Sequence, residues 1–221
     1  IGKGGYGEIY RVIDETSKET VALKIEPSMK KGRIAKRIIY EQKVLLRLQG
    51  RPHALKIIAS GTHGQYNFIA MQLLSANLCD LRRKAPNRRL SLPTAARVGQ
   101  QGLAALRDLH SLGFVHRDVK PQNICFGISS SQRHCLFLLD FGLVRRFLND
   151  DGSLRKPRSI VGFRGTYRFV SIAVHEKREQ SPPDDVVSLF YSCAELILGS
   201  LPWKNINDSD KIKIAKKQLA R

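Results

Sequence analysis

The sequence predicts an α+β protein of two lobes, an N-terminal antiparallel sheet carrying one helix, followed by a mainly helical second lobe. Three observations lead there. Short β-favouring segments separated by turn signals fill the first third, a single amphipathic helical stretch interrupts them, and the later helical patterns include one that is apolar nearly all round. With 221 residues, 42% hydrophobic and 26% charged, the chain can bury a sizeable core, and its composition excludes the disordered and fibrous classes.

In order, strands are expected at 8–13, 20–25, 55–60 and 67–72, with a helix at 33–48 between the second and third. On that helix Ile34, Ile38, Glu41, Leu45 and Leu48 share one face at about 100° per residue, so a carboxylate lies on the apolar stripe. The texture changes near the apolar segment 68–74, which divides the chain into 1–71, a connection at 72–76, and 77–221. Beyond it, helices are expected at 93–112 and 185–198 and a weak basic one at 208–219, with strand-like pieces at 123–126 and 135–139. A long basic connection, 142–176, is of a length that usually serves function.

Four groups of residues carry chemistry. Gly2, Gly4 and Gly7 form GxGxxG, loosened further by Gly5, and a strand rather than a helix follows, which suits a hairpin lid over phosphates or a plain glycine-rich turn. Lys24, in Val21-Ala22-Leu23-Lys24, is a lysine in an apolar strand and needs an anionic partner; Glu41 is the carboxylate that fits, unless it reaches water at the stripe's edge. The loop His116-Arg117-Asp118-Val119-Lys120-Pro121-Gln122-Asn123 joins an acceptor carboxylate, a cation and an amide: Asp118 can take a proton from a hydroxyl, Lys120 can neutralise a migrating phosphoryl group, and Asn123 can bind a hard cation. Asp140-Phe141-Gly142 ends an apolar segment with a carboxylate suited to Mg²⁺.

In this order the motifs resemble the eukaryotic protein kinases, and HRDVKPQN followed by Gly165-Thr166 resembles the serine/threonine class. VALKIE, LDFGLVRRF, GFRGTYRFVSIAVH, the Asp184-Asp185 pair with SLFY, and Leu201-Pro202-Trp203 are similar to the casein kinase 1 superfamily, and NLCDLRR, HSLGFVHRD and FRGTYR most of all to its tau-tubulin kinase branch. The resemblance implies the bilobal kinase fold, with 72–76 as hinge, and ATP and Mg²⁺ as cofactors. It implies that Gly2, Gly4 and Gly7 cover the phosphates, that Ile9 and Ala22 touch adenine, that Met71 is the gatekeeper, and that Gln72 and Leu74 belong to the hinge. Lys24, paired with Glu41, would hold the α- and β-phosphates, Asp118 would be the base with Lys120 beside it, and Asn123 and Asp140 would hold the metal. Thr166 would brace Asp118 and Lys120 on the substrate side, Arg168 would occupy the superfamily's anion site, and Asp185 would anchor the catalytic loop, with an N-cap as its alternative role.

Two departures bear on that reading. Ser171-Ile172-Ala173-Val174-His175-Glu176 stands where most kinases have Ala-Pro-Glu and the superfamily Ser-Ile-Asn, which leaves substrate-side anchoring open, and Pro182-Pro183 replace polar or basic residues. The chain is also expected to be a fragment lacking the last helices of the family's large lobe.

Lys and Arg total 38 against 19 Asp and Glu, a formal +19 that favours anionic partners. Arg145, Arg146, Arg155, Lys156, Arg158, Arg164 and Arg168 crowd the 142–176 connection, which suits acidic or already phosphorylated protein substrates; a solvated loop is the alternative. The runs 82–89 and 211–217 read as solvated faces, without the interleaved aromatics that base reading needs, so no specific nucleic acid is expected. Cys79, Cys125, Cys135 and Cys193 show neither CxxC nor metal-ligand spacing, as reduced thiols of a cytoplasmic or nuclear protein would. No apolar run approaches the roughly 20 residues of a membrane helix, and Ile1 leads straight into the glycine turn, so neither a membrane partner nor a leader is expected, and the protein is read as a monomer. A scaffold that binds phosphoproteins without turnover is the alternative function, and a basic nucleic-acid module a third.

Overall fold

The computed structural model describes residues 2–4, 7–30 and 32–219. The chain divides into two compact units, Ile1–Ser75 with Phe126–Gly142, and Ala76–Cys125 with Leu143–Arg221. The first holds a five-stranded antiparallel sheet in the order Gly2–Gly4, Gly7–Ile13, Thr20–Pro27, Tyr66–Gln72, Ile57–His63. Alternation drives it: along Tyr66–Gln72 the buried positions are Asn67, Ile69 and Met71, every second residue. The register sets Lys24 opposite Ile9 on one side and Ile69 on the other, and Ala22 opposite Met71.

The helix of this unit, Lys36–Leu48, buries Ile38, Glu41, Val44, Leu45 and Leu48. It starts three residues later than the pattern predicts. Arg33–Ile34 pair instead with Met29–Lys30, Gly32 turns at φ 71°, and Ile34, expected on the buried stripe, is 61% exposed. The boundary needs a second correction, because 126–142, placed by the sequence in the second lobe, belongs with the first unit. The strand Leu136–Leu138 is fully buried, Leu136 O bonds His53 Nδ1 at 2.9 Å, Cys135 Sγ donates to Pro52 O, and Ser75 Oγ donates to Phe126 O.

The second unit is helical: Leu78–Lys84, Leu92–Ser111, Ile172–His175, Pro182–Leu198 and Ser209–Leu219. The first of these was not expected, although Asn77, whose side chain accepts from Asp80 N at 3.0 Å, is its N-cap. Pro182–Leu198 begins three residues before the expected Asp185, with Ser181 and Asp184 forming a capping box, and Gly199 ends it at φ 81°. Phe169, Tyr191, Leu201, Trp203 and Ile212 form a core cluster. Two expected solvated runs each hide a buried cation, Arg82 and Lys216. Among the described residues no helix is long and apolar enough to cross a membrane. All four cysteines are free, and burial pushes Cys125 up to about 12 and Cys193 to about 11.

Candidate active site

In the first unit the central strand delivers Lys24 and the helix delivers Glu41. Lys24 Nζ donates to Glu41 Oε2 at 2.5 Å and lies 3.6 Å from Asp140 Oδ1. Burial pulls the ammonium down, but Glu41 and Asp140 outweigh it, so the Lys24 pKa is raised and the group stays charged. Asp140 sits at φ 62°, a conformation that non-glycine residues rarely adopt, and Gly142 follows with its ideal Cβ position 3.2 Å from Asp140 Oδ1. Gly2–Gly4 pair with Gly7–Ile13 as the expected hairpin, with Gly4 opposite Gly7; Gly5 lies outside the described residues. At Gly7 a Cβ would stand 2.6 Å from Ile25 O, so only glycine lets the two strands approach. Ala22 and Met71 are buried neighbours, Gln72 exchanges bonds with Lys56, and Leu74 opens the strand Leu74–Asn77.

In the second unit Asp118 is held from both sides. Thr166 Oγ1 donates to Asp118 Oδ1 at 2.7 Å, and Lys120 Nζ donates to Asp118 Oδ2 at 2.6 Å and to Thr166 Oγ1 at 3.2 Å. Asn123 Nδ2 donates to Asp118 O at 2.9 Å, which leaves the amide oxygen as the atom able to take a hard cation. The loop stores strain at Arg117, φ 71°, and the buried Asp185 holds it there: His116 N and Arg117 N donate to its two carboxylate oxygens at 2.7 and 2.8 Å. Asp185 therefore anchors the loop, while Asp184 takes the capping role. Gly165, φ 110°, lies so close that a Cβ would stand 2.5 Å from Arg117 O, which is why the residue before Thr166 has no side chain.

Residues 1–221 match the protein kinase domain. The chain belongs to the protein kinase family. A Caenorhabditis elegans protein whose name places it with casein kinase I is 50% identical over 99% of this chain, a Dictyostelium discoideum serine/threonine-protein kinase is 39% identical over 96%, and a second Caenorhabditis elegans serine/threonine-protein kinase is 34% identical over 94%. The kinase domain is thus casein kinase 1-like, and the chain spans 64%, 42% and 54% of those three proteins.

The segment 166–176 of this kinase domain is fastened by contacts that local sequence spacing does not indicate. Ser171 Oγ donates to Asp184 Oδ1 at 2.5 Å and accepts from Val174 N, so anchoring does not depend on the side chain at Ala173. The buried Trp203 donates its indole N–H to Arg168 O, and the buried Lys216 donates to Tyr167 O and Val170 O. Arg168, expected at an anion site, makes an ion pair with the buried Glu195 at 3.0 Å; Glu195 Oε2 has no hydrogen-bond partner among the described residues. In the basic connection Arg146 pairs with Asp150, and Arg145 and Arg158 both pair with Glu179. Arg145, Arg146, Arg155 and Lys156 also line a cavity of about 240 Å³.

Proposed function

We propose that this kinase domain transfers the γ-phosphate of Mg-ATP to serine or threonine hydroxyls of protein substrates, preferring acidic or already phosphorylated segments. The observation that carries the reading is the Asp118 carboxylate, fixed by Thr166 and Lys120 in a strained loop tied to Asp185. The residues fit the implied groups. Lys24 is a charged group for phosphate oxygens, the Asp140 carboxylate is by its chemistry a donor for a hard divalent cation, and the Asn123 amide oxygen is another. When bound, Mg-ATP supplies the phosphoryl group and the positive charge that screens it.

The side chains then divide the work. Asp118 orients the attacking hydroxyl and accepts its proton, Lys120 neutralises charge developing on the transferred group, and Lys24, braced by Glu41, holds the α- and β-phosphates. Arg155 and Lys156 in the cavity lining suit an acidic peptide. The tau-tubulin branch is supported by the NLCDLRR, FRGTYR and SLFY motifs, and four free thiols suit a monomer of the cytoplasm or nucleus. Initial rates on casein, a phosphorylated acidic peptide and its lysine-substituted counterpart test this. The first two are expected to be phosphorylated at least about tenfold faster than the third. Equal rates would remove the acidic preference, and nucleotide binding without any transfer would overturn the enzyme in favour of a scaffold.

A further inference from the structure

The two basic runs of the second unit differ in how their charge is answered. At 211–217, Lys213 pairs with Asp210 at 2.8 Å and Lys217 with Glu176 at 2.6 Å. At 82–89, Arg82-Arg83-Lys84-Ala85-Pro86-Asn87-Arg88-Arg89 meets a single carboxylate among the described residues, Asp80, which pairs with Arg83 at 3.3 Å. Lys84, Arg88 and Arg89 are exposed, and their side chains make no hydrogen bond or ion pair among the described residues. Arg82 is 7% exposed; its Nη1 donates to the carbonyl oxygens of Arg88 and Gly199, and its Nε has no hydrogen-bond partner among the described residues. A buried charge is ordinarily answered by an opposite one, and carbonyls alone serve this guanidinium.

These cations stand on a fixed frame. The helix Leu78–Lys84 closes where Ala85 N donates to Leu81 O at 3.1 Å and to Arg82 O at 3.2 Å. One tight turn, Pro86–Arg88, follows with Asn87 at φ 52° and Arg88 at φ 55°; Arg88 N donates to Ala85 O at 2.9 Å and Arg89 N to Pro86 O at 3.1 Å. Arg82 ties the turn to Gly199, and Leu90 N donates to Leu196 O at 2.8 Å, so the end of Pro182–Leu198 pins it. A ligand therefore meets a backbone already ordered, which lowers the entropic cost of binding. Leu92, 66% exposed, and Leu198, 53% exposed, add apolar surface at its flanks. Residues 78–99 contain no Phe, Tyr or Trp, so the surface supplies neither base stacking nor an interfacial aromatic anchor. Four arginines beside one lysine favour planar, bidentate anions such as carboxylates.

We propose that the turn at 82–89 is a docking surface for an acidic segment of the protein substrate, one that brings carboxylates to Lys84, Arg88 and Arg89 and an apolar side chain to Leu92. This deepens the kinase reading, on which the word substrate rests. Asp118 belongs to the same compact unit as the turn, so one body holds both the docked segment and the base. Docking away from the reacting hydroxyl raises the local concentration of substrate and makes no contact that changes in the transition state. It therefore lowers KM and leaves kcat unchanged.

The test uses the full-length natural protein and a fluorescent peptide of Glu and Asp around one Leu, without hydroxyl side chains, its binding read by anisotropy in the absence of nucleotide. Lys84→Gln, Arg88→Asn and Arg89→Gln are combined, asparagine being a residue that tolerates the left-handed backbone of position 88. This triple variant is expected to bind the peptide at least about tenfold more weakly than wild type. Lys84→Gln with Arg89→Gln, which leaves the strained position untouched and so guards against misfolding, is expected to lose about fivefold. Arg155→Gln with Lys156→Gln, in the cavity of the basic connection, is expected to change affinity by less than about twofold. Joining the peptide to a serine acceptor through about 20 glycine and serine residues, a reach of about 25 Å, is expected to lower KM at least about fivefold in wild type but not in the triple variant, with kcat alike in both. Peptide binding unchanged in the triple and double variants would overturn the proposal, as would its loss in the Arg155 and Lys156 variant or equal KM values for tethered and untethered acceptors in an active wild type. If the triple variant loses affinity for a thymidine oligonucleotide or for phosphatidylserine vesicles yet binds the peptide as before, the surface serves nucleic acid or membrane and the proposal fails. Because binding is read without turnover, an inactive wild type would sink the kinase reading alone, and an active wild type whose variants bind as before would sink the docking surface alone.

Discussion

Lys24 is largely buried and Lys216 wholly so, and their pKa values are shifted in opposite directions. Lys24, in the first unit, faces Glu41 at 2.5 Å and Asp140 at 3.6 Å, and its pKa is raised. Lys216, in the second, is 0% exposed and meets Tyr167 O at 2.8 Å, Val170 O at 2.6 Å, His175 Nε2 at 3.2 Å, and the faces of Tyr191 and Trp203. With carbonyls and rings in place of carboxylates, burial dominates and lowers its pKa to about 7. Both forms fit this setting: Nζ donates to the two carbonyls either way, and His175 Nε2 accepts from the ammonium or donates to the amine, its other nitrogen contacting Ser209 Oγ. Burial and the charge that Lys216 carries below its own pKa hold His175 down to about 4, so the imidazole is neutral in the neutral range. Burial alone therefore does not decide what a lysine does. Carboxylate neighbours make a fixed cation able to hold phosphate, while neutral acceptors make a structural donor that pins a loop.

The largest effect that would break this comparison is on turnover. Lys24→Met is expected to lower kcat/KM by about 10²–10³, the range seen when one preorganised charge donor is removed. Glu41→Gln keeps a hydrogen-bond acceptor but removes the charge that holds Lys24, and about a tenfold loss is expected, measured on the same substrate. Lys216→Met, by contrast, is expected to leave kcat/KM within about threefold, because its contacts are to two carbonyls, His175 and two rings rather than to reacting groups.

The signature of Lys216 lies in the pH dependence of stability. Its folded pKa, about 7, is below the ordinary 10.5, so between those values the unfolded chain binds the extra proton. Stability is therefore expected to rise as pH increases from about 7 to 10.5, with no further change from this group below 7. His175 adds a lower window, with stability rising between about 4 and its ordinary 6.5. Urea midpoints measured across pH should show the alkaline rise in wild type and lose it in Lys216→Met; a rise that persists in the variant would contradict the lowered pKa of Lys216.

The two lysines also mark what the sequence makes legible. Lys24 interrupts an apolar strand, and helical spacing placed Glu41 on a buried face, so the pair could be read before any coordinates. The Asp118 loop was readable for a different reason: Lys120 and Asn123 reach Asp118 from two and five residues away, so a local motif contains most of the geometry. Lys216 sits among Lys211, Lys213 and Lys217 in a basic run, where composition says solvent, and its tertiary contacts with the turn at 166–170, His175, Tyr191 and Trp203 bury it. Glu179 and Glu195 were illegible because their partners Arg158 and Arg168 lie 21 and 27 residues away, beyond any local spacing. Ile34 failed in the other direction. Its spacing fits the helical stripe, but a glycine turn at Gly32 and strand pairing with Met29 claim it first.

The central claim is that the Lys24 cluster and the Asp118 loop serve one reaction, phosphoryl transfer. The most direct measurement is transfer of labelled γ-phosphate from Mg-ATP to casein by the full-length protein and by Asp140→Asn, with both shown to be folded by their melting curves. Transfer by the wild type and its loss in Asp140→Asn is the expected result. A folded wild type that binds nucleotide without transfer, or an Asp140→Asn variant that transfers as well as wild type, would contradict the account.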